Sequence, residues 1–128
     1  LGAAFKKNKK ILCLDGDGSM LMHLGSLHTV GLMNKNNFKH ILLNNQSHES
    51  VGGQEISFKR VKMEKLIKGL GYSKYIQLKD KKDLKNKIQS VLKYKGSIFL
   101  EVLIEKGAIK NLGRPKNFIK IKNNFLKN

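Results

Sequence analysis

Apolar residues along this chain come in short runs that alternate between two periods. The run Ile11-Leu12-Cys13-Leu14, entered from Lys9-Lys10 and closed by Asp15-Gly16, is nearly continuous, the pattern of a strand buried on both faces of a parallel sheet. A strand of that kind is expected at the centre of its sheet. Over residues 19–33 the apolar positions Met20, Leu21, Leu24, Leu27, Val30 and Leu32 or Met33 fall near helical spacing, with Ser19 placed to cap the helix. Residues 38–44 predict a second buried strand, and residues 45–57 form a polar, glycine-bearing loop without a period. A helix over 61–70 closed by Gly69 or Gly71, a strand over 74–78, a helix over 80–94 and a strand over 97–104 follow. From residue 107 onward the chain reads as irregular, with a short final helix.

This βαβαβαβ alternation predicts an α/β fold, an open parallel sheet with helices on both faces. Ligands of such folds sit beyond the carboxyl ends of the strands. Here those ends are residues 15–19 and 44–50.

Length and charge narrow the picture. With 128 residues the chain can bury one core, so residues 1–128 are expected to form a single domain. A single cysteine, Cys13, excludes an intrachain disulfide and suits a reducing compartment, so a cytoplasmic location is expected. Cys13 itself reads as a small buried hydrophobe, and Met20, Met22 and Met33 as core or interface fillers. No apolar run approaches the roughly 20 residues that span a bilayer, which argues against a membrane partner.

The formal net charge is +17, enough to attract nucleic acid. Yet of 26 basic residues only Arg60 and Arg114 carry the planar guanidinium that reads phosphates and bases, and the lysines are spread from Lys6 to Lys127. A basic nucleic-acid-binding module is therefore an alternative rather than the expectation, and no nucleic-acid partner is expected.

The turn Gly16-Asp17-Gly18-Ser19 could serve three chemistries. A dinucleotide fingerprint would need glycine where Leu21 stands. A calcium loop starting at Asp15 would need glycine at Met20 and glutamate at Ser26. The third possibility is a carboxylate at one strand end and an amide oxygen at the next, holding a hard cation against a diphosphate. Asp17 and Asn45, 28 positions apart, offer this to magnesium.

The pair GDGS and LLNN, with 25 residues from Ser19 to Leu43, resembles the motif of thiamine-diphosphate-dependent enzymes. The segments GDGSMLMHLGSL, LLNNQSHESVGGQ and KGAIKNLGRP are more particular and are similar to the phosphonopyruvate decarboxylase family, sulfopyruvate decarboxylase being the related alternative. The resemblance implies the diphosphate-binding domain of the thiamine-diphosphate fold, N-terminally incomplete here, with the pyrimidine-binding domain absent from the chain. It implies thiamine diphosphate and Mg2+ as cofactors, the metal held by Asp17, Asn45 and the backbone carbonyl of Ser47, with Gly16, Gly18 and Ser19 near the diphosphate. The reaction implied is decarboxylation of 3-phosphonopyruvate to phosphonoacetaldehyde and carbon dioxide. A 2-oxo acid substrate, a pyrimidine-binding domain or subunit and a homo- or hetero-oligomer would be the partners. The isolated chain is expected to be inactive.

Three further residues are candidates beside the motif. His48 follows Asn45 in the loop and can move protons near neutral pH, and Glu49 is a weaker catalytic candidate. Arg114, between Gly113 and Pro115, could clamp an anionic group of the substrate or merely sit in a rigid turn. His23 and His28 are five apart on the predicted helix, off a common face, and like His40 read as structural or surface residues.

Overall fold

The structure is a computed structural model that describes residues 1–128 except 7, 57, 59, 108–110, 112, 114 and 128, and the side chain at 81. Four strands, β1 (Ile11–Gly16), β2 (Phe38–Asn44), β3 (Lys74–Leu78) and β4 (Ile98–Leu103), form one sheet in the order β1-β2-β4-β3, every pair parallel. The helices are α1 (Gly2–Lys6), α2 (Asp17–Met22), α3 (Leu24–Met33), α4 (Met63–Gly69), α5 (Leu84–Lys93) and α6 (Phe118–Lys127).

Two apolar clusters sandwich the sheet. Met20 of α2, Leu27 of α3, and Met63 and Ile67 of α4 pack with Leu42 and Phe99 on one face, while Val91 of α5 packs with Ile41, Ile98 and Leu100 on the other. Alternate residues of one strand serve opposite faces, which is why Ile41 and Leu42 fall in different clusters. Crossovers that advance along the sheet, β1 to β2 and β2 to β3, use the first face. The return from β3 to β4 uses the second, as right-handed crossovers require.

The tightest contact between layers is at Gly31 of α3. A Cβ there would lie 2.2 Å from the carbonyl oxygen of Leu70, so the helix reaches the α4–β3 turn only because position 31 has no side chain.

Several expectations need correction. β1 is not central but an edge strand of the described sheet, and its residues alternate between partly covered and exposed, Leu14 being 67% exposed. On the second face the buried cluster around α5 draws on β2, β3 and β4 and not on β1, and Leu12, Leu14 and Leu43 stand exposed. Cys13 is accordingly half-buried rather than fully buried. The helix expected over 19–33 is broken at His23, whose carbonyl accepts both the amide and, at 2.7 Å, the hydroxyl of Ser26. The helix resumes at Leu24 as α3, with Ser26 bonded back to its first turn. The first piece begins at Asp17, two residues before Ser19, so Ser19 is no cap. Of the three methionines read as core or interface fillers, Met20 takes a core place, while Met22 and Met33 are exposed and so are not core.

Two buried polar side chains tie the layers together. Lys39, fully buried, donates from Nζ to the carbonyls of Asn36 at 2.8 Å, Tyr94 at 2.6 Å and Gly96 at 3.3 Å, using all three ammonium donors. Burial pushes its pKa down. His40 lies between Tyr72, whose hydroxyl is 2.9 Å from Nδ1, and Asp15, whose carboxylate is 3.5 Å from Nε2. Burial lowers the histidine's pKa, against the pull of Asp15, and raises the phenol's.

Candidate functional site

The register of β1 and β2 brings the site together. Gly16 is paired with Leu43, so Asp17 and Asn45 both follow the carboxyl ends of neighbouring strands and line one cleft there. Beyond these tips opens a cleft of about 620 Å³. Gly16, Asp17, Gly18 and Ser19 line it from one strand end, Asn45, Ser47, His48 and Glu49 from the other. Met22, Leu43, Val51 and Ile104 add apolar wall.

Asp17 starts α2 and is buried, 3% exposed. Its Oδ1 accepts the amide of Gly18 at 2.9 Å, while Oδ2 is buried with no hydrogen-bond partner. An ionised oxygen in that condition is costly to bury unless something positive meets it. A bound cation suits it. Gly18 is buried directly beneath His48, since a Cβ at position 18 would lie 2.3 Å from the imidazole Nδ1. A glycine here leaves room for the ring to lie against the backbone.

The second half of the site is a run of two asparagine turns. Asn44 Oδ1 accepts the amide of Gln46 at 3.0 Å, and Asn45 Oδ1 accepts that of Ser47 at 3.0 Å. Gln46 takes a left-handed φ of 57°, which the first of these turns supports. The amide nitrogen of Asn45 donates to Glu49 Oε2 at 2.6 Å, and the other oxygen of Glu49 accepts the backbone amide of Gly107. Glu49 thus joins the loop to the segment after β4. Because it holds the nitrogen end of Asn45, it fixes which way round the amide sits.

The expected irregular loop after β2 folds back on itself. His48 donates its amide to the carbonyl of Gln54 at 2.8 Å and Ile56 donates to Gln46 at 2.9 Å, bracketing an antiparallel pair of Ser47 with Glu55. Ser47 and Glu55 are thereby the non-hydrogen-bonded pair, so the ladder does not consume the Ser47 carbonyl. The Ser47 hydroxyl donates to Gly53 at 3.1 Å, and the turn passes through Gly52 and Gly53 with φ of 123° and 77°, values that favour glycine.

Gly16, Asp17, Gly18, Ser19, Asn45 and Ser47 therefore meet at one cleft, together with His48 and Glu49. Arg114 lies outside the described residues. His23 and His28 are exposed and do not line the cleft, while His40 is buried in the core. Among the described residues no group of three or more His, Cys, Asp or Glu could hold a metal ion, so a metal here must draw on amide or carbonyl oxygen as well as Asp17. No helix among them is long and apolar enough to cross a membrane.

One buried group escaped the sequence reading. Glu101 of β4, 2% exposed, accepts from Asn44 Nδ2 at 2.6 Å on one oxygen, and from Gln77 Nε2 at 2.8 Å and the Tyr75 hydroxyl on the other. The signal available was a lone acid inside the apolar run of residues 98–104.

Comparison with known proteins identifies the class. Residues 1–102 match the family described as thiamine pyrophosphate enzyme, C-terminal TPP binding domain, and the chain belongs to that family. Its fold is similar to a protein from Mycobacterium smegmatis described as a thiamin diphosphate-dependent enzyme, with a TM-score of 0.63 at 16% identity, covering 81% of this chain and 19% of that one.

Within the family, the chain is 34% identical over 116 residues to phosphonopyruvate decarboxylase of Streptomyces viridochromogenes. That match covers 91% of this chain and 29% of the relative. The sulfopyruvate decarboxylase subunit beta of Methanocaldococcus jannaschii is 40% identical over 72 residues, covering 56% of this chain and 38% of the subunit. The chain thus spans about a third of the length of these relatives.

Proposed function

We propose that this chain is the diphosphate- and magnesium-binding part of a thiamine-diphosphate-dependent decarboxylase acting on a 2-oxo acid with a second anionic group, 3-phosphonopyruvate by preference. The observation that carries the metal reading is Asp17: a buried carboxylate with one oxygen unpartnered, opening onto the same cleft as Asn45. Asp17 Oδ2, Asn45 Oδ1 and the Ser47 carbonyl would supply three hard oxygens, the set magnesium prefers, leaving other positions to diphosphate and water. Asn45 Oδ1 already accepts one amide and has a second lone pair to give.

The cofactor, when bound, would supply the electron sink that decarboxylation of a 2-oxo acid needs. The chain's own part is positional. Gly16 would leave room for a diphosphate to approach the backbone, Gly18 lets His48 sit beside it, Ser19 is exposed at the same lip, and a metal held by Asp17 would balance the diphosphate's charge. His48, half-buried over Gly18 at the cleft wall, is the group placed to move a proton or to meet the substrate's second anion.

The activity belongs to a larger assembly. A pyrimidine-binding domain or subunit would complete the cofactor site, and one of the relatives is itself named a subunit. The substrate preference rests on the 34% identity to phosphonopyruvate decarboxylase over 91% of the chain. Sulfopyruvate is the second reading, favoured by the 40% identity over 72 residues to the beta subunit. The test is to supply the complete protein, with its pyrimidine-binding part, with each substrate in turn. Phosphonoacetaldehyde formed from 3-phosphonopyruvate in preference to turnover of sulfopyruvate supports the first reading, and the reverse order supports the second.

A further inference from the structure

We infer that Glu101, which reaches neither the cleft nor anything bound there, is a positioning residue that sets magnesium affinity through Asn44. The inference rests on the metal reading above and deepens it. Leu43, Asn45 and Ser47 line the cofactor cleft, whereas Asn44 and Gln46 line a second cleft of about 440 Å³ on the other side of β2. Glu101 belongs to that second side.

An asparagine amide has one accepting and one donating end. Glu101 Oε1 takes the donating end of Asn44 at 2.6 Å, which leaves Oδ1 for the amide of Gln46 at 3.0 Å. That bond supports the left-handed turn at Gln46, which links Asn45 to Ser47 and so sets how the two stand to each other. One residue on, Asn45 repeats the arrangement, with Glu49 on its nitrogen and the Ser47 amide on its oxygen. The two carboxylates thus hold consecutive asparagines the same way round, one from inside the sheet and one from the loop.

A buried charge is an expensive way to fill space, and an apolar side chain would pack a strand interior at lower cost. Glu101 offers what leucine cannot: an acceptor-only group for three donors, Asn44, Gln77 and Tyr75. Of these three, only Asn44 leads to the metal loop.

The test uses the complete protein with its pyrimidine-binding part, titrated with thiamine diphosphate by calorimetry over a range of magnesium concentrations. Glu101→Leu should raise the half-saturating magnesium concentration about tenfold or more, the usual effect of losing a support behind a metal ligand. Glu101→Gln should stay near wild type, because its oxygen can face Asn44 while its amide faces Tyr75 and Gln77, both able to accept. Tyr75→Phe, which loosens the same buried cluster without touching Asn44, should also leave it unchanged. Should Glu101→Leu not fold, Asn44→Ala reports on the same link and should show the same rise.

Hydrogen exchange gives a readout free of ligand: the amides of Gln46 and Ser47 should exchange faster in Glu101→Leu while those of β3 keep their protection. Normal magnesium dependence in Glu101→Leu or Asn44→Ala, or an equal shift in Tyr75→Phe, overturns the inference. Absence of magnesium-dependent binding in the unsubstituted protein overturns the metal reading itself, and with it the functional half of this inference.

Discussion

The imidazole of His48 occupies the space that any side chain on Gly18 would need, a Cβ there falling 2.3 Å from Nδ1. The two lips of the cleft touch through this pair, one lip from each strand tip. Gly18→Ala should displace the ring, at little cost to stability because the obstacle is the end of a side chain. It should also weaken thiamine diphosphate binding about tenfold or more, by pushing the imidazole out of the cleft wall, a loss on the order of 1.4 kcal/mol. A Gly18→Ala/His48→Ala double variant, assayed by thermal melting and calorimetry, should recover any lost stability but not the lost affinity. Recovery of both would mean that the placement of the ring plays no part in binding.

Glu49 has both carboxylate oxygens engaged, by Asn45 and by Gly107. That arrangement favours orientation of Asn45 over proton transfer. Glu49→Gln should raise the magnesium requirement several-fold and leave the pH dependence of turnover where it was. A displaced limb in the pH–rate profile with an unchanged magnesium requirement would instead make Glu49 an acid or base.

Much of this was legible in the sequence, for physical reasons. Short apolar runs bounded by turn residues suit buried strands, and a glycine-flanked acid after one strand meets an amide after the next when those strands are neighbours. The register of Gly16 with Leu43 meets that condition. Position within the sheet was not legible: Ile11 to Leu14 is as apolar as a central strand, yet it forms an edge of the described sheet with Leu12 and Leu14 uncovered. Composition records what a residue can bury, not whether a partner is there to bury it. The break at His23 was hidden because it arises from the Ser26 hydroxyl, not from a glycine or proline. Glu101 went unread because one acid in an apolar strand says nothing about its three donors, which come from β2 and β3.

Lys39 gives a prediction about stability alone. Lys39→Met keeps the length of the side chain and removes the donors to three carbonyls, those of Asn36, Tyr94 and Gly96. The expected loss is about 2–4 kcal/mol in urea unfolding, since buried acceptors lose their partner. A change within about 0.5 kcal/mol, the range of ordinary surface substitutions, would contradict the clamp.

His40 gives a pH dependence whose sign is fixed. Burial holds its folded pKa below the unfolded value of 6.5, so the unfolded chain binds the proton first as pH falls. The stability that neutral His40 contributes is present above pH 6.5 and is lost as pH drops below it toward the folded pKa. Urea midpoints measured down from pH 7 should fall more steeply for the wild type than for His40→Phe, which keeps an aromatic ring against Phe99 but cannot titrate. Parallel slopes would mean that His40 plays no part in acid sensitivity.

The most direct test of the account is magnesium-dependent binding of thiamine diphosphate to the complete protein, measured by calorimetry with Asp17 intact and as Asp17→Asn. The substitution keeps the shape of the buried side chain and removes its charge. Saturable binding that needs magnesium in the wild type, with magnesium affinity about a hundredfold weaker in Asp17→Asn, is the predicted result. Equal magnesium affinity in the two proteins would contradict it.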